Sequence, residues 1–145
     1  MITLVLYHGG CNDGFGAAWA AYRALGESAQ YIPVNYGKPA PAIQQGSRVY
    51  ILDFSYPRAV LEQLGCCVCE QLVVLDHHAT AERELAELAG CVFDLNKSGA
   101  VLAWEHFHPG EPVPLLLRYV QQAAHAVASH RCEWSQDQTR RDAGL

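Results

Sequence analysis

Charged side chains are scarce in this chain of 145 residues, at 17% of the total, and basic ones are the scarcer kind, with 10 Lys and Arg against 15 Asp and Glu. A formal net charge of -5 argues against a broad basic groove for duplex nucleic acid, although a local cation site can still receive a phosphate group. No apolar run approaches the ~20 residues of a membrane span, and Met1-Ile2-Thr3 lacks the basic start of a signal peptide, so no membrane association is expected and the expected compartment is the cytoplasm. Internal repeats and low-complexity tracts are also missing. Half of the residues are hydrophobic, which excludes a disordered chain, and the length fits a single domain with a sizeable core. Among the six cysteines, Cys66, Cys67 and Cys69 are crowded, while Cys11, Cys91 and Cys132 are scattered with no second pair at metal-ligand spacing. Reduced thiols that behave as small hydrophobes are therefore expected.

The chain does hold short apolar runs that end in polar residues. Leu72-Val73-Val74-Leu75 reads as a buried parallel strand and gives way at once to Asp76-His77-His78. Leu4-Val5-Leu6-Tyr7 ends at His8 in the same manner, and Val49-Tyr50-Ile51-Leu52 ends at Asp53. Gln30 to Val34 and Cys91-Val92-Phe93 are further strands. Helices are expected from Phe15 to Leu25 with Gly26 at the end, through Val60, Leu61 and Leu64 with Ser55 or Tyr56 as cap and Gly65 as stop, and over Glu82 to Leu88. Two more should open at Ser98-Gly99-Ala100 and at Leu115. Strands alternating with helices make the class α/β, a mostly parallel sheet flanked by helices in a single domain.

Open sheets of this class bind ligands at the carboxyl ends of their strands. Here His8, Asp13, Asp53 and His77 would meet at such an edge, and a mixed imidazole and carboxylate set suits Mn²⁺, Fe²⁺ or Zn²⁺. Asp53 could bridge two ions ~3.5–4 Å apart, an arrangement that binds a phosphoryl group and lowers the pKa of a shared water. Taken alone, Asp13 fits equally well as the cap of the helix it precedes. If the strand persisted, adjacent His77 and His78 would point to opposite sides; Asp76 would then orient an imidazole, and His78 would meet the phosphate or protonate a leaving oxygen. The glycine-rich turn after His8 offers a second, metal-free way to cradle a phosphate, but it has neither G-x-G-x-x-G nor the P-loop lysine.

With these residues in order, the chain resembles the amino-terminal domain of the DHH phosphoesterase superfamily over roughly residues 2–120. Tyr7-His8-Gly9-Gly10-Cys11-Asn12-Asp13-Gly14-Phe15, Leu52-Asp53, Leu75-Asp76-His77-His78 and Asn96-Lys97-Ser98-Gly99-Ala100 with Trp104 look like successive family motifs. The resemblance implies a Mn²⁺-dependent hydrolase of phosphodiester or phosphoanhydride bonds that uses a metal-activated water. Family members include single-strand exonucleases, oligoribonucleases, cyclic dinucleotide phosphodiesterases, exopolyphosphatases and inorganic pyrophosphatases. Carried over by position, His8, Asp13, Asp53 and His77 hold two Mn²⁺ ions with Asp53 bridging. Asp76 and His78 are then catalytic, and Asn12, Gly14, Ser98 and Gly99 bind substrate, a phosphate-containing small molecule or short oligonucleotide.

The chain departs from the family pattern in three places. Cys11 stands where the first of two aspartates is usual, which makes it a possible softer ligand. Gln121-Gln122-Ala123-Ala124-His125 lacks an aspartate that relatives place there, and no second, substrate-binding domain follows. Residues 121–145 are therefore expected to be an atypical tail, truncated or out of frame. That leaves a catalytically weak or inactive remnant that binds metal or nucleotide as the alternative to a working hydrolase, and a purely structural module as a third class. Self-association through exposed apolar surface is a further expectation.

Overall fold

The apolar runs become five parallel strands: β1 (Thr3–His8), β2 (Ala29–Val34), β3 (Ser47–Leu52), β4 (Cys69–Asp76) and β5 (Cys91–Phe93). The computed structural model describes residues 1–127. In the sheet the strands lie in the order β2-β1-β3-β4-β5. The chain builds outward from β1 on one side, then returns to add β3 on the other. This reversal opens a crevice between the carboxyl ends of β1 and β3, the place where open parallel sheets take ligands.

Alternation along each strand feeds two apolar layers. Val5, Tyr50, Leu52, Val73 and Leu75 pack towards α1 (Asn12–Leu25), α4 (Gly99–Phe107) and a last helix, α5, over residues 115–127. Leu4, Leu6, Val49, Ile51 and Val74 face the opposite way, towards Leu61 of α2 (Arg58–Gln63) and Leu85 of α3 (Ala79–Leu85). Most of these side chains are almost wholly buried, and each contributes about 1.5–3 kcal/mol relative to exposure. Trp104, from the last of the motif segments, belongs to this core, where it stacks on Trp19 at 5.9 Å between ring centroids.

Helix ends differ from the sequence expectation where local chemistry overrides composition. Pro57, not Ser55 or Tyr56, is the residue at the N-cap of α2, since its fixed φ fits the turn and Ser55 is drawn to Asp76 instead. Gly65 does not stop this helix, which widens into a π-turn over Leu64–Val68 before β4. Helix α3 starts three residues earlier than composition suggests, directly after His78. The sulfurs of the adjacent Cys66 and Cys67 are brought together in the π-turn, while Cys11, Cys69 and Cys91 are free thiols. Helix α5 runs through Gln121 without a break to residue 127, and the Gln121 side chain accepts a hydrogen bond from Ser98 N at 2.9 Å. The boundary placed at residue 120 is thus interior to a helix docked on the domain; the remaining tail, 128–145, lies outside the described residues.

Helix α1 leaves β1 so closely that Gly14 sits against the His8 backbone. A Cβ there would fall within van der Waals overlap of the His8 carbonyl oxygen and 2.8 Å from its carbon. Neither atom can move without disturbing β1. Gly14→Ala is therefore expected to destabilise the protein by about 1–3 kcal/mol through overpacking, read as a lower urea midpoint at unchanged slope.

Candidate metal centre

Asp53 is the pivot of the crevice. The chain turns sharply as it leaves β3: Asp53 has φ 56°, the left-handed region that costs a non-glycine residue about 1–3 kcal/mol. Its N–H still donates to the Leu75 carbonyl at 2.9 Å, so the turn stays tied to β4. Room for the side chain comes from Gly99 at the start of α4, where a Cβ would lie 2.5 Å from Asp53 Cβ and 2.6 Å from Oδ1. The two carboxylate oxygens then face different partners. Oδ1 is 2.9 Å from His77 Nε2; Oδ2 is 3.4 Å from Cys11 Sγ and 3.6 Å from His8 Nδ1.

Asp13 approaches from the other side. Although it lies in the first turn of α1, that helix is capped by Cys11, whose sulfur accepts from Gly14 N at 3.3 Å. The Asp13 carboxylate instead reaches α4, accepting from Gly99 N at 3.0 Å and Ala100 N at 2.8 Å. Asp13 does cap a helix, but one 86 residues away in sequence. Its Oδ2 is also 3.2 Å from His77 Nε2, so one imidazole nitrogen lies between two carboxylates.

The titration behaviour follows from this crowding. Burial opposes charge on His77, yet hydrogen bonds to Asp13 and Asp53, and their negative charges, win and push its pKa up to about 10. Burial likewise works against ionised Asp13, but the His77 bond and the amides of Ala100 and Gly99 hold its pKa below the ordinary value. Asp53 moves the other way, raised by burial and by the Asp13 charge against the opposing His77 bond. Burial, reinforced by Asp53, also raises the Cys11 thiol despite the Gly14 amide. Cys11 thus acts as a donor to Asp53 Oδ2. Two largely buried carboxylates need a cation, and imidazolium at His77 fills that need. A divalent metal suits the same place, because it would release the His77 proton and take up carboxylate and imidazole donors together.

Potential donor atoms of His8, Cys11 and Asp53 all lie within 4.8 Å of one another, as do those of Asp53, Asp76, His77 and His78. Asp53 belongs to both groups. Asp76, however, has little left to offer a metal: it is wholly buried, Oδ1 accepts from His77 N at 2.8 Å and meets His78 Nδ1 at 2.6 Å, and Oδ2 accepts from Ser55 Oγ at 2.8 Å. It orients His78, as a neighbour of a metal-binding histidine often does. Because β4 ends at Asp76, strand alternation does not separate the two imidazoles, and their centroids are 4.6 Å apart. Their partners still differ, His77 meeting Asp13 and Asp53, His78 meeting Asp76.

Of the four residues assigned to substrate contact, three have their amides engaged within the protein. Gly14 N is engaged by Cys11 and Gly99 N by Asp13; Ser98 N donates to Gln121, and its hydroxyl accepts from Val101 N at 3.2 Å as the α4 cap. These groups hold the candidate ligand side chains Cys11 and Asp13 and the α4 start in place and have no spare amide for a phosphate. Asn12 is exposed at the first position of α1. Lys97, in the same motif segment, pairs on the surface with Glu105 at 2.7 Å. Sequence reasoning missed Tyr36. Its ring lies 4.4 Å from Phe54, 5.4 Å from His8 and 6.4 Å from His78, forming a half-exposed wall over the centre. Only the pairing of β2 with β1, which carries the residues after Val34 to the same edge as His8, could have pointed to it.

No family model matches the chain. It is 33% identical over 137 residues to "Uncharacterized protein R106" of Acanthamoeba polyphaga mimivirus, an alignment that takes in 83% of this chain and 32% of that protein. The chain thus spans about a third of the length of this curated relative. Among solved structures it is similar to an uncharacterized protein from Helicobacter pylori G27, with a TM-score of 0.60 and 16% identity, over 78% of this chain and 38% of the other. At that identity the likeness supports the α/β fold.

The raised His77 pKa fixes a sign for stability. A folded-state value of about 10 against 6.5 for the free side chain means that its contribution is complete below pH 6.5 and is lost as pH rises towards 10. In chelator-treated protein the urea midpoint is expected to fall across that window. His77→Gln should remove the decline; an unchanged slope in the variant would assign it to another group.

Proposed function

We propose that the chain is a metal-dependent phosphohydrolase domain of the DHH phosphoesterase type, acting on phosphodiester or phosphoanhydride bonds. The observation that carries this reading is Asp53, whose two oxygens face separate donor sets, Asp13 with His77 and His8 with Cys11. Those residues would hold Mn²⁺, with Asp53 shared between two ions. Bound metal supplies Lewis acidity and lowers the pKa of a water for attack on phosphorus.

The protein's own part is positioning. Asp76 holds His78 through Nδ1, so Nε2 is the atom left to meet a phosphate oxygen or to protonate the leaving oxygen. Ser55 and the His77 amide fix Asp76 in turn. The substrate is a phosphate-containing small molecule or short oligonucleotide, and the compartment that goes with this reading is the cytoplasm. Among the described residues no helix is long and apolar enough to cross a membrane.

A second reading is favoured by Cys11. One donor set contains a protonated thiol where a carboxylate would bind a hard cation better, which suits a domain that holds metal with weak or no turnover. The two readings separate in one assay. Purified protein should hydrolyse a chromogenic phosphodiester only when Mn²⁺ is present, Asp53→Ala and His77→Ala should fall to background, and His78→Ala should lose about 10²–10⁴-fold in kcat while still binding Mn²⁺. Stoichiometric Mn²⁺ binding without hydrolysis would select the second reading, and failure to bind any divalent metal would sink both.

A further inference from the structure

Next to His78, on the side away from Asp13, a cavity of about 420 Å³ opens between the turn after β3 and helix α3. Tyr36, Tyr56, Pro57, Ala81 and Leu85 give it apolar walls, and Ser55, Thr80 and Glu84 add polar edges. Among the described residues, no Lys or Arg lines it. Of the described lining residues His78 is the one able to carry positive charge, and Glu84 opposes an anion. Such a space does not suit a run of phosphates, which needs several cations. It does suit an uncharged planar ring, and its volume falls within the ~300–1,000 Å³ range of small-molecule sites. Two further features fit a heterocycle. The half-exposed Tyr36 ring offers a stacking face within 6.4 Å of the His78 ring, and the flat rings of Tyr36 and Tyr56 both line the space.

We infer that this cavity is a nucleobase subsite: the substrate is a nucleotide or the end of an oligonucleotide, with its phosphate at His78 and its base between Tyr36 and α3. The inference rests on the phosphohydrolase reading and narrows it, because it disfavours inorganic pyrophosphate and polyphosphate as substrates. Base binding comes from stacking, so discrimination among the four bases is weak and discrimination against base-free phosphates is strong.

The test is calorimetric titration of the Mn²⁺-treated full chain with AMP, UMP, ribose 5-phosphate and inorganic pyrophosphate. The two nucleotides should bind at least tenfold more tightly than ribose 5-phosphate. Ala81→Trp, which fills the cavity, should erase that preference while leaving ribose 5-phosphate binding as it was, and Tyr36→Ala, which removes the exposed face, should erase the preference as well. Equal affinities for nucleotide and ribose 5-phosphate, tighter binding of pyrophosphate, or no binding of any of the four would overturn the subsite. Direct Mn²⁺ titration of the same samples judges the metal centre separately. A chain that prefers nucleotides yet binds no Mn²⁺ would keep the subsite and lose the hydrolase.

Discussion

The carboxylate of Asp53 has to be in one place, and much of the domain is arranged around that requirement. Its backbone takes a left-handed turn that few non-glycine residues tolerate, and the bond from its N–H to Leu75 holds the turn against the sheet. Because Gly99 has no side chain, α4 can press to within contact of the carboxylate. A methyl group at Gly99 would push α4 outward, taking with it the amides that hold Asp13. Strain at Asp53, close packing at Gly99 and helix capping by Asp13 are therefore one constraint seen from three positions.

The same interactions build both fold and centre. Asp13 ties α1 to α4, and Ser98 ties α4 to α5 through Gln121. Asp76 ties β4 to the turn that begins α2 through Ser55. Asp13, Ser55, Asp76 and Ser98 are buried, and each would cost about 1–3 kcal/mol if left without a partner. Carboxylates are concentrated where helix amides, a hydroxyl and two imidazoles can all reach them. The arrangement leaves little slack, so Gly14, Ser98 and Gly99 serve the scaffold even though they lie in motif segments.

Much of this was legible in the sequence. Five strands and the helices between them followed from apolar runs and their punctuation, and the strand ends announced His8, Asp53 and His77. The helix boundaries at Pro57, Gly65 and His78 were less legible, because a cap is decided by which backbone groups lack partners, and Ser55 had a stronger partner in Asp76. The pairing of Asp13 with α4 could not be read at all. A carboxylate beside its own helix start looks like a local cap, and only the packing of α1 on α4 reveals that it serves another helix. Tyr36 was hidden for a related reason, since it reaches the crevice through strand order and carries no motif of its own.

The long reach of Asp13 also bears on how the molecule assembles. Its partner Ala100 is 87 positions away, and closing a loop of that length comes late, after nearer contacts have formed. Until α4 docks, Asp13 lacks the amides of Gly99 and Ala100 and Asp53 has no lid. A half-folded chain therefore holds these donors less firmly. Any cation captured there selects the completed fold, and its binding free energy is added whole to the stability of that state by mass action.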